Sequence, residues 1–193
     1  MIYLGEKEEK SKDTSSQVME KLLKTRTIFI SGEIKQELAE KVSTQLLILQ
    51  EMGDEPIKVF INSQGGHVEA GDTIHDMIKF VKPKVIVIGT GWVASAGITI
   101  YLAADKENRY SLPNTRYMIH QPMGQCRGQA TDISIEALEI SRVRERINKI
   151  ISNATNQPLE KVKQDTDRNY WLNCDEAVEY GIVNKVITSY DEL

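Results

Sequence analysis

The chain has 193 residues, enough for one domain with a substantial buried core. Hydrophobic residues make up 40% of it and charged residues 27%, the balance of an ordinary globular protein rather than of a disordered or fibrous one. The net charge of -4 provides no long-range attraction to phosphate backbones or anionic lipid, so neither nucleic acid nor a membrane surface is expected as a partner.

The cysteines and the N-terminal segment indicate a compartment. Cys126 and Cys174 form no CxxC pair and lack the density of a disulfide scaffold, which favours a reducing environment and no metal framework. Residues 1–14 are mostly polar, lack the apolar core of a secretion signal, and are predicted to form a mobile arm. No stretch approaches the roughly 20 apolar residues of a membrane span. We therefore expect a cytoplasmic protein with a structured domain over residues 15–193.

Short β-rich runs alternate with helical patterns in the first half of the chain. The runs Thr27–Ile30, Ile57–Ile61 and Lys84–Ile88 predict strands. The intervening segments carry apolar residues at helical spacing. These positions are Leu38, Val42, Leu46 and Leu49 in the first helix, and Ala70, Ile74, Met77, Ile78 and Val81 in the second. This order predicts βαβ units, with both helices packed on a parallel sheet.

The second half continues the alternation. We predict a helix from near Ser95 to Ala103, a strand over Tyr117–Ile119, and a long charged helix between Gly128 and Asn153 with one apolar face. A last strand is predicted over Ile182–Ile187. It follows a short helix that begins at Asn173, with Glu176 as capping-box partner, and ends at Gly181. We find no repeat or linker that divides the chain, so a single α/β domain is expected.

One serine has surroundings suited to a nucleophile. The segment GWVASAG, Gly91–Gly97, follows a strand and opens a helix, and it surrounds Ser95 with small residues that let a substrate carbonyl approach. The backbone N–H of Ala96 would be free at the helix start and could stabilise an oxyanion. Serine is also a common helix N-cap, and small residues there often reflect tight packing, so this segment alone favours a structural interpretation.

The search for a general base is short, because the chain has three histidines. His120 ends an apolar strand and precedes Gln121-Pro122, where a side chain can face a cleft; a structural role is about as probable from these residues alone. His75 sits inside a helical pattern as a surface or packing residue. His67 follows the turn Ile61–Gly66, whose paired glycines could point an N–H at a substrate oxygen, although alone this is an ordinary turn.

Five segments together resemble the ClpP family, the proteolytic subunits of Clp-type serine peptidases. The similarity runs from about Leu22 to Ile187. The segments are INSQGGHVEAG at Ile61–Gly71, GWVASAG at Gly91–Gly97, LPNTRYMIHQPMG at Leu112–Gly124, GQATDI at Gly128–Ile133 and DEAVEYGIV at Asp175–Val183. Their order and spacing make chance similarity improbable. The resemblance implies an α/β, single-domain ClpP/crotonase-like fold of repeated βαβ units, with a protruding handle at about 124–153.

The resemblance also implies a serine-peptidase site. It makes Ser95 the nucleophile and His120 the general base, with an oxyanion hole from the N–H groups of Gly66 and Ala96, a scheme that is chemically coherent. Substrate backbone would be held by strand addition beside the site. The residues implied in substrate binding are Gly65, Gln121, Pro122, Met123, Gly124 and Gln125.

Assembly and partners follow from the same resemblance. Seven-membered rings stacked in pairs would enclose the sites in a chamber that admits only unfolded proteins, with Asp167 and Arg168 forming a ring-to-ring ion pair. A Clp-type ATPase unfoldase would dock on aromatic positions at the ring face, represented here by Phe60, Phe80 and Tyr110. The unfoldase uses the ATP, so this chain itself needs no cofactor and no metal.

Three departures from the family pattern predict a divergent paralogue. Asn169 stands where the family has the triad aspartate, and it lacks the charge that stabilises the imidazolium of the base. Lys58 replaces an aromatic residue of the docking pocket, which weakens an apolar contact. The arm is largely charged over residues 6–12, where the family carries an apolar motif. We expect weak activity alone and function beside a second, conventional subunit.

Two alternatives belong to other functional classes. The first is a catalytically silent structural ring, with Ser95 and His120 retained as relics. The second is an acyl-CoA enzyme of the crotonase type, which shares the fold and a backbone oxyanion hole but does not require this serine and histidine pair. Retention of both residues argues against the second alternative.

Overall fold

The structure, a computed structural model, describes residues 17, 18 and 20–193. The predicted mobile arm at 1–14 lies outside the described residues. Residues 20–24 are helical and lead into the first strand. None of the helices in these ranges is long and apolar enough to cross a membrane.

After the helical residues 20–24, the described part contains seven strands and six α-helices that largely alternate along the chain. The strands are β1 (Thr27–Ile34), β2 (Ile57–Gly66), β3 (Val85–Ala94), β4 (Arg109–Ser111), β5 (Arg116–Ile119), β6 (Tyr170–Leu172) and β7 (Lys185–Val186). The helices are α1 (Gln36–Met52), α2 (Val68–Phe80), α3 (Ala96–Tyr101), α4 (Ala130–Thr155), α5 (Leu159–Asp165) and α6 (Cys174–Tyr180), with short 3-10 turns at Lys106–Asn108 and Tyr190–Glu192.

The strands form one mostly parallel sheet in the order β1-β2-β3-β4-β7. The C-terminal end of β3 leaves this path and pairs in parallel with β5, which pairs antiparallel with β6. This branch matters for function, because β3 ends next to Ser95 and β5 ends next to His120. The chain connects β1 to β2 through α1 and β2 to β3 through α2, which is the predicted βαβ arrangement. The α/β fold class is confirmed.

Helix packing follows the apolar spacing of the sequence. The stripe of α1 buries Val42, Leu46 and Leu49, and that of α2 buries Ile74 and Ile78. Both helices contribute to one core together with the inward side chains of β1, β2 and β3. Each fully buried aliphatic side chain of this kind contributes about 1.5–3 kcal/mol. The predicted faces of these helices are therefore confirmed.

Strand lengths differ from the predictions for identifiable reasons. β2 and β3 extend beyond their predicted hydrophobic runs into the glycine-rich segments that follow. The register between the two strands shifts from Ile61 to Ser63, and pairing then resumes. The predicted strand Ile182–Ile187 shrinks to β7, since Ile182 and Val183 donate their N–H groups back to the carbonyl of Ala177 at 2.9 and 3.1 Å. The short elements β4, α5 and β6 were not predicted, because segments of three to seven residues carry too little periodicity.

The long helix α4 projects over much of its length. It has 26 residues, about 39 Å, and begins inside the predicted handle. Its C-terminal half buries Ile147 and Ile151 in the core. Its N-terminal half leaves Ile133, Ile135 and Leu138 exposed by 39%, 54% and 61%. A single copy of the chain therefore leaves several large apolar side chains of this half of the helix uncovered.

Candidate active site

Ser95 lies at the sharp junction between β3 and α3. Its backbone has φ 55° and ψ -124°, a conformation that non-glycine residues adopt only when the surroundings enforce it. The enforcing contacts are a hydrogen bond from its N–H to the carbonyl of Met118 at 3.0 Å and one from the N–H of Ile98 to its own carbonyl at 2.9 Å. The side chain makes no capping hydrogen bond, so the N-cap role is excluded and the hydroxyl remains free to face His120.

His120 connects Ser95 to Asn169. Its Nε2 lies 2.8 Å from the Ser95 Oγ, and its Nδ1 lies 3.0 Å from the Asn169 Oδ1. With the amide oxygen facing Nδ1, the ring keeps its proton on Nδ1, and Nε2 can accept the proton of the serine hydroxyl. Three residues far apart along the chain thus form a continuous hydrogen-bonded series of hydroxyl, imidazole and amide.

The paired glycines approach the serine closely. Gly65 has φ +98°, and a Cβ on it would lie 2.5 Å from the Ser95 Cβ and 3.1 Å from the Ala96 nitrogen. Gly66 has φ +155°, and a Cβ there would lie 2.2 Å from the carbonyl oxygen of Ile34. Ala96 begins α3, where a backbone N–H has no partner within the helix. The structure therefore places the β2 end against the β3–α3 junction, with no room for side chains at either glycine.

Ser63 holds this glycine turn and was missed from sequence. It is fully buried, its hydroxyl donates to the carbonyl of Gly32 at 2.5 Å, and it accepts from the N–H of Gly65 at 3.0 Å. A serine two residues before a glycine pair is common in turns, so the residue type alone offered no signal. Its role depends on β1 and β2 being neighbours. The sequence predicted that arrangement of strands but not the individual contact.

Asn169 is carried by the segment 166–169, which we call the triad loop. Thr166 is fully buried, and its hydroxyl lies 2.8 Å from the Asn148 Oδ1 on α4. Its carbonyl accepts from the N–H of Gln121 at 2.6 Å. Asp167 accepts from Arg144 at 3.0 Å, and its carbonyl accepts from the Gln121 side chain at 2.6 Å. The triad loop is thus fixed both to α4 and to the residue after His120.

Asp167 and Arg168 stand in the triad loop as the sequence indicated, but their contacts here are within the chain. Asp167 pairs with Arg144, while an Arg168 guanidinium nitrogen donates to the carbonyl of Asp167 at 3.2 Å. Arg144 was not singled out from sequence, because it is one of many charged residues on α4. Any ring-to-ring pairing of Asp167 with Arg168 remains a prediction.

A pocket of about 710 Å³ opens beside His120. Its walls are the segment after β5, the triad loop and Ile140 of α4. The lining includes His120, Gln121, Pro122, Met123, Gly124, Gln125 and Asn169. The residues that follow His120 have no helix or strand assignment, so they form no sheet ladder within the described chain. Most of this segment is exposed, so its backbone groups are open to the strand addition that the resemblance implies.

A smaller apolar recess lies on the other side of the serine. It is lined by both Ser95 and His120, with Val68, Ile119, Ile147 and Ile151 among the apolar walls.

The two remaining histidines lie outside the hydrogen-bonded series. His67 is exposed and sits 3.2 Å from the Glu69 carboxylate. His75 is buried and contacts the carbonyl of Thr99 through Nδ1 at 2.6 Å, the packing role that the sequence indicated.

The predicted docking aromatics lie on or beside one face of the sheet. Phe60 stacks on Phe29 with ring centroids 5.0 Å apart, and the register of β2, β3 and β4 aligns Phe60, Ile88 and Tyr110. Phe80 ends α2 and is 72% exposed. Lys58 precedes Phe60 by two positions, so both side chains share a face of β2, and its ammonium group contacts the hydroxyl of Tyr190.

Comparisons with known proteins agree on one family. The family model "Clp protease" matches residues 8–190. The ATP-dependent Clp protease proteolytic subunit 3 of Rhizobium etli is 58% identical over 172 residues, covering 89% of each chain. The ATP-dependent Clp protease proteolytic subunit 2 of Pseudomonas aeruginosa is 53% identical over 178 residues, covering 92% of this chain and 89% of the relative.

Solved structures agree in fold as well as in sequence. ClpP1 from Listeria monocytogenes is 64% identical with a TM-score of 0.83, covering 91% of this chain and 99% of that one. A mutant of the same protein, with an asparagine changed to aspartate, superposes with a TM-score of 0.85 over 90% and 98% of the two chains. The fold, the serine–histidine contact and these similarities lead to one conclusion: the chain belongs to the Clp protease family, as a serine-type peptidase with the ClpP fold.

Proposed function

We propose that this chain cleaves peptide bonds with Ser95 as nucleophile, His120 as general base and Asn169 as the residue that orients the base. The observation that carries the proposal is the 2.8 Å contact between the Ser95 Oγ and the His120 Nε2, because a neutral hydroxyl attacks a peptide carbonyl only when a base can take its proton. Family membership supports the same chemistry.

The reaction proceeds in two steps. In the first, Oγ attacks the scissile carbonyl carbon, its proton moves to Nε2, and the N–H groups of Gly66 and Ala96 stabilise the oxyanion. The imidazolium then protonates the departing amine, and the C–N bond breaks to leave an acyl ester on Ser95. In the second, water loses a proton to Nε2 and attacks the ester, and the proton returns to Oγ as the acid leaves. The packing of Gly65 against Ala96 supports the position of this oxyanion hole.

Asn169 sets the expected rate. The Asn169 oxygen holds the imidazole tautomer that leaves Nε2 as acceptor, as the 3.0 Å contact to Nδ1 supports. It brings no negative charge to offset the imidazolium. In a serine protease of another fold the exchange of this aspartate for asparagine costs about ten-thousand-fold in turnover, where the amide also selects the wrong imidazole tautomer. We infer weak activity from this chain alone, with a second, conventional subunit supplying the stronger sites of a mixed particle.

Unfolded polypeptide is the proposed substrate. The exposed segment after His120 contributes Gln121 to Gln125 to the large pocket, and Gly65 lies beside the nucleophile. A substrate strand held there would be recognised by its backbone rather than by side-chain sequence. The printed names of the relatives, ATP-dependent Clp protease proteolytic subunits, support a partnership with a Clp-type ATPase. In that arrangement the unfoldase consumes the ATP, and this chain carries no cofactor.

Assembly into seven-membered rings stacked in pairs is the proposed quaternary structure. The uncovered apolar positions Ile133, Ile135 and Leu138 on α4 support a role for this helix as the handle that meets another copy. Asp167 and Arg168 would add the ring-to-ring ion pair, for which Asp167 must leave Arg144. The exposed Phe80, and Phe60 and Tyr110 at aligned positions of the sheet, support docking of an unfoldase loop, although Lys58 on the same face of β2 as Phe60 makes the dock less apolar than an aromatic would.

A fluorophosphonate probe tests the catalytic proposal. We expect an adduct at Ser95, detected by intact mass and peptide mapping, in the protein alone or after mixing with a conventional subunit. Ser95→Ala removes the adduct, while Ser134→Ala, at an exposed serine of α4 outside the site, is the control that retains it. Silence in every assembly contradicts the proposal and favours a structural ring subunit. The family match already disfavours the acyl-CoA alternative, and acyl-CoA turnover that persists in Ser95→Ala would revive it.

Mixing experiments test the paralogue proposal. Differently tagged rings of this chain and of a conventional ClpP subunit are combined, and co-purification followed by native mass spectrometry shows whether one particle contains both. We expect a mixed particle and stronger unfoldase-dependent proteolysis than from this chain alone. Homomeric rings that dock the unfoldase unaided, and never mix, would contradict the proposal.

A further inference from the structure

A second pocket, of about 460 Å³, lies away from the Ser95 site. It is formed where α2, the loop after α3, the start of β4 and the C-terminal end of α4 meet. Its polar lining includes His75, Lys79, Asp105, Lys106 and Arg109, and its apolar walls include Leu102 and Ile150. The volume lies in the range of pockets that bind small molecules. We call it the basic pocket.

Arg109 is the most buried charge of the basic pocket. Only 2% of it is exposed, and the partners of its guanidinium are main-chain carbonyls, with the shortest contact 2.8 Å to Ala154. Its Nε is buried without a hydrogen-bond partner among the described residues, and none of the described carboxylates forms an ion pair with it. Burial lowers its pKa. The guanidinium is therefore a buried cation whose direct contacts are with carbonyl dipoles, while the carboxylates of Asp105 and Glu107 act on it from a longer distance.

Two lysines add positive charge at the mouth. Lys79 and Lys106 are exposed, and neither forms an ion pair within residues 20–193. The acidic residue in the lining is Asp105, so three full positive charges face one negative charge. Lys79 stands in the last turn of α2, where a cation also favours the helix dipole. Lys106 lies in the 3-10 turn before β4, so the two lysines of the lining come from different elements of the fold.

Two amide side chains add hydrogen-bond donors. Asn153 and Asn156 line the same pocket, and Asn156 holds the left-handed C-cap of α4. His75 is 7% exposed and donates its Nδ1–H to the carbonyl of Thr99, so its ring orientation is fixed and this N–H is already used within the chain. Amide N–H groups and lysine ammonium groups are common partners of phosphate oxygens, and charge-assisted hydrogen bonds are the stronger class.

We propose that the basic pocket binds a phosphate group, carried either by free inorganic phosphate or by a small phosphomonoester. A phosphate near neutral pH carries between one and two negative charges, which matches the net charge of the lining. Lys79 and Lys106 provide charge-assisted hydrogen bonds from the solvent side. The apolar wall formed by Leu102 and Ile150 leaves space for the organic part of an ester. This site is separate from the peptidase site and does not depend on the proposed catalytic roles.

Isothermal titration of the full chain in its native assembly tests the proposal. Inorganic phosphate and ribose 5-phosphate are titrated separately into the protein in chloride buffer of matched ionic strength, since phosphate also stabilises proteins nonspecifically by exclusion. We expect saturable binding, weakened about tenfold or more in Lys79→Gln and in Lys106→Gln. Lys82→Gln is the matched control, an exposed lysine three residues beyond Lys79 that is not in the lining. Tighter binding of the ester would identify an organic phosphate as the ligand, and equal binding would identify the free ion.

The result that overturns the proposal is equally direct. The proposal is overturned if neither probe shows saturable binding. It is also overturned if Lys79→Gln, Lys106→Gln and Lys82→Gln weaken binding equally, because equal weakening indicates a general charge effect. Both lysines are exposed, so these variants are expected to fold, and circular dichroism checks this before titration. Fluorophosphonate labelling of Ser95 in the same samples keeps this test distinct from that of the peptidase proposal.

Discussion

Replacing Asn169 by aspartate tests the effect of a negative charge beside the His120 imidazole. The Asn169 Oδ1 already lies 3.0 Å from the His120 Nδ1, so a carboxylate can take the same position with little movement. It would place a negative charge about 4 Å from the centre of the imidazolium formed in the transition state, which is worth about 1 kcal/mol in water and about 4 kcal/mol at an effective dielectric constant of about 20. Asn169 is exposed and His120 half-buried, so a value between these limits applies.

The expected gain follows from that interval. A stabilisation of about 1–3 kcal/mol raises kcat/KM between about fivefold and about a hundredfold. Hydrolysis of a fluorogenic peptide by Asn169→Asp and by the parent protein measures it, at one pH and with oligomeric state checked by gel filtration. Asn169→Ala, which removes the Nδ1 acceptor, is expected to lower the rate below that of the parent. If Asn169→Asp gains nothing while Ser95 still reacts with the probe, the missing charge is not what limits this site.

Three further substitutions examine the structure around the site. Gly65→Ala should abolish probe labelling of the nucleophile because its Cβ would lie 2.5 Å from the serine Cβ, whereas Gly32→Ala, at φ +78° with open space around it, should label normally. Asn148→Ala should lower the free energy of unfolding in urea by about 1–3 kcal/mol, since it removes a buried partner of the triad loop; an unchanged value would mean that water replaces the contact. Tyr180→Phe should cost about 1 kcal/mol at pH 9, because the tyrosine hydroxyl donates to a carboxylate of α5 at 2.7 Å. Burial raises the pKa of Tyr180 above its ordinary value of 10.0, so this difference should narrow above pH 10, where the unfolded chain loses the proton first; a constant difference would contradict the assignment.

The sequence predicted the fold where hydrophobic periodicity is strong. The stripes of α1 and α2 and the long face of α4 extend over three or more turns, which distinguishes them from strands. The branch of the sheet was not predictable, because β5 and β6 are strands of four and three residues whose attachment to the sheet depends on β3 continuing past Gly91. That continuation placed Ser95 at the end of a strand, next to β5.

The residues that carry the chemistry of the candidate site were predictable from sequence, but the residues that hold them in position were not. Ser95 and His120 were singled out by residue type and neighbours, and the resemblance added Asn169. The residues that hold them, among them Ser63 and Thr166, act through contacts with β1, α4 and the segment after β5. Such contacts join residues 18 to 46 positions apart in the sequence, and a common serine or threonine shows no pattern that would predict them.

The left-handed backbone at Ser95 has a thermodynamic consequence. A non-glycine residue at φ 55° and ψ -124° carries about 1–3 kcal/mol of conformational strain, which packing around it must outweigh. Glycine tolerates such angles, so Ser95→Gly should melt at a higher temperature than Ser95→Ala, although both are inactive. The fold thus gives up some thermal resistance to present one hydroxyl, a stability–activity trade-off located at a single residue.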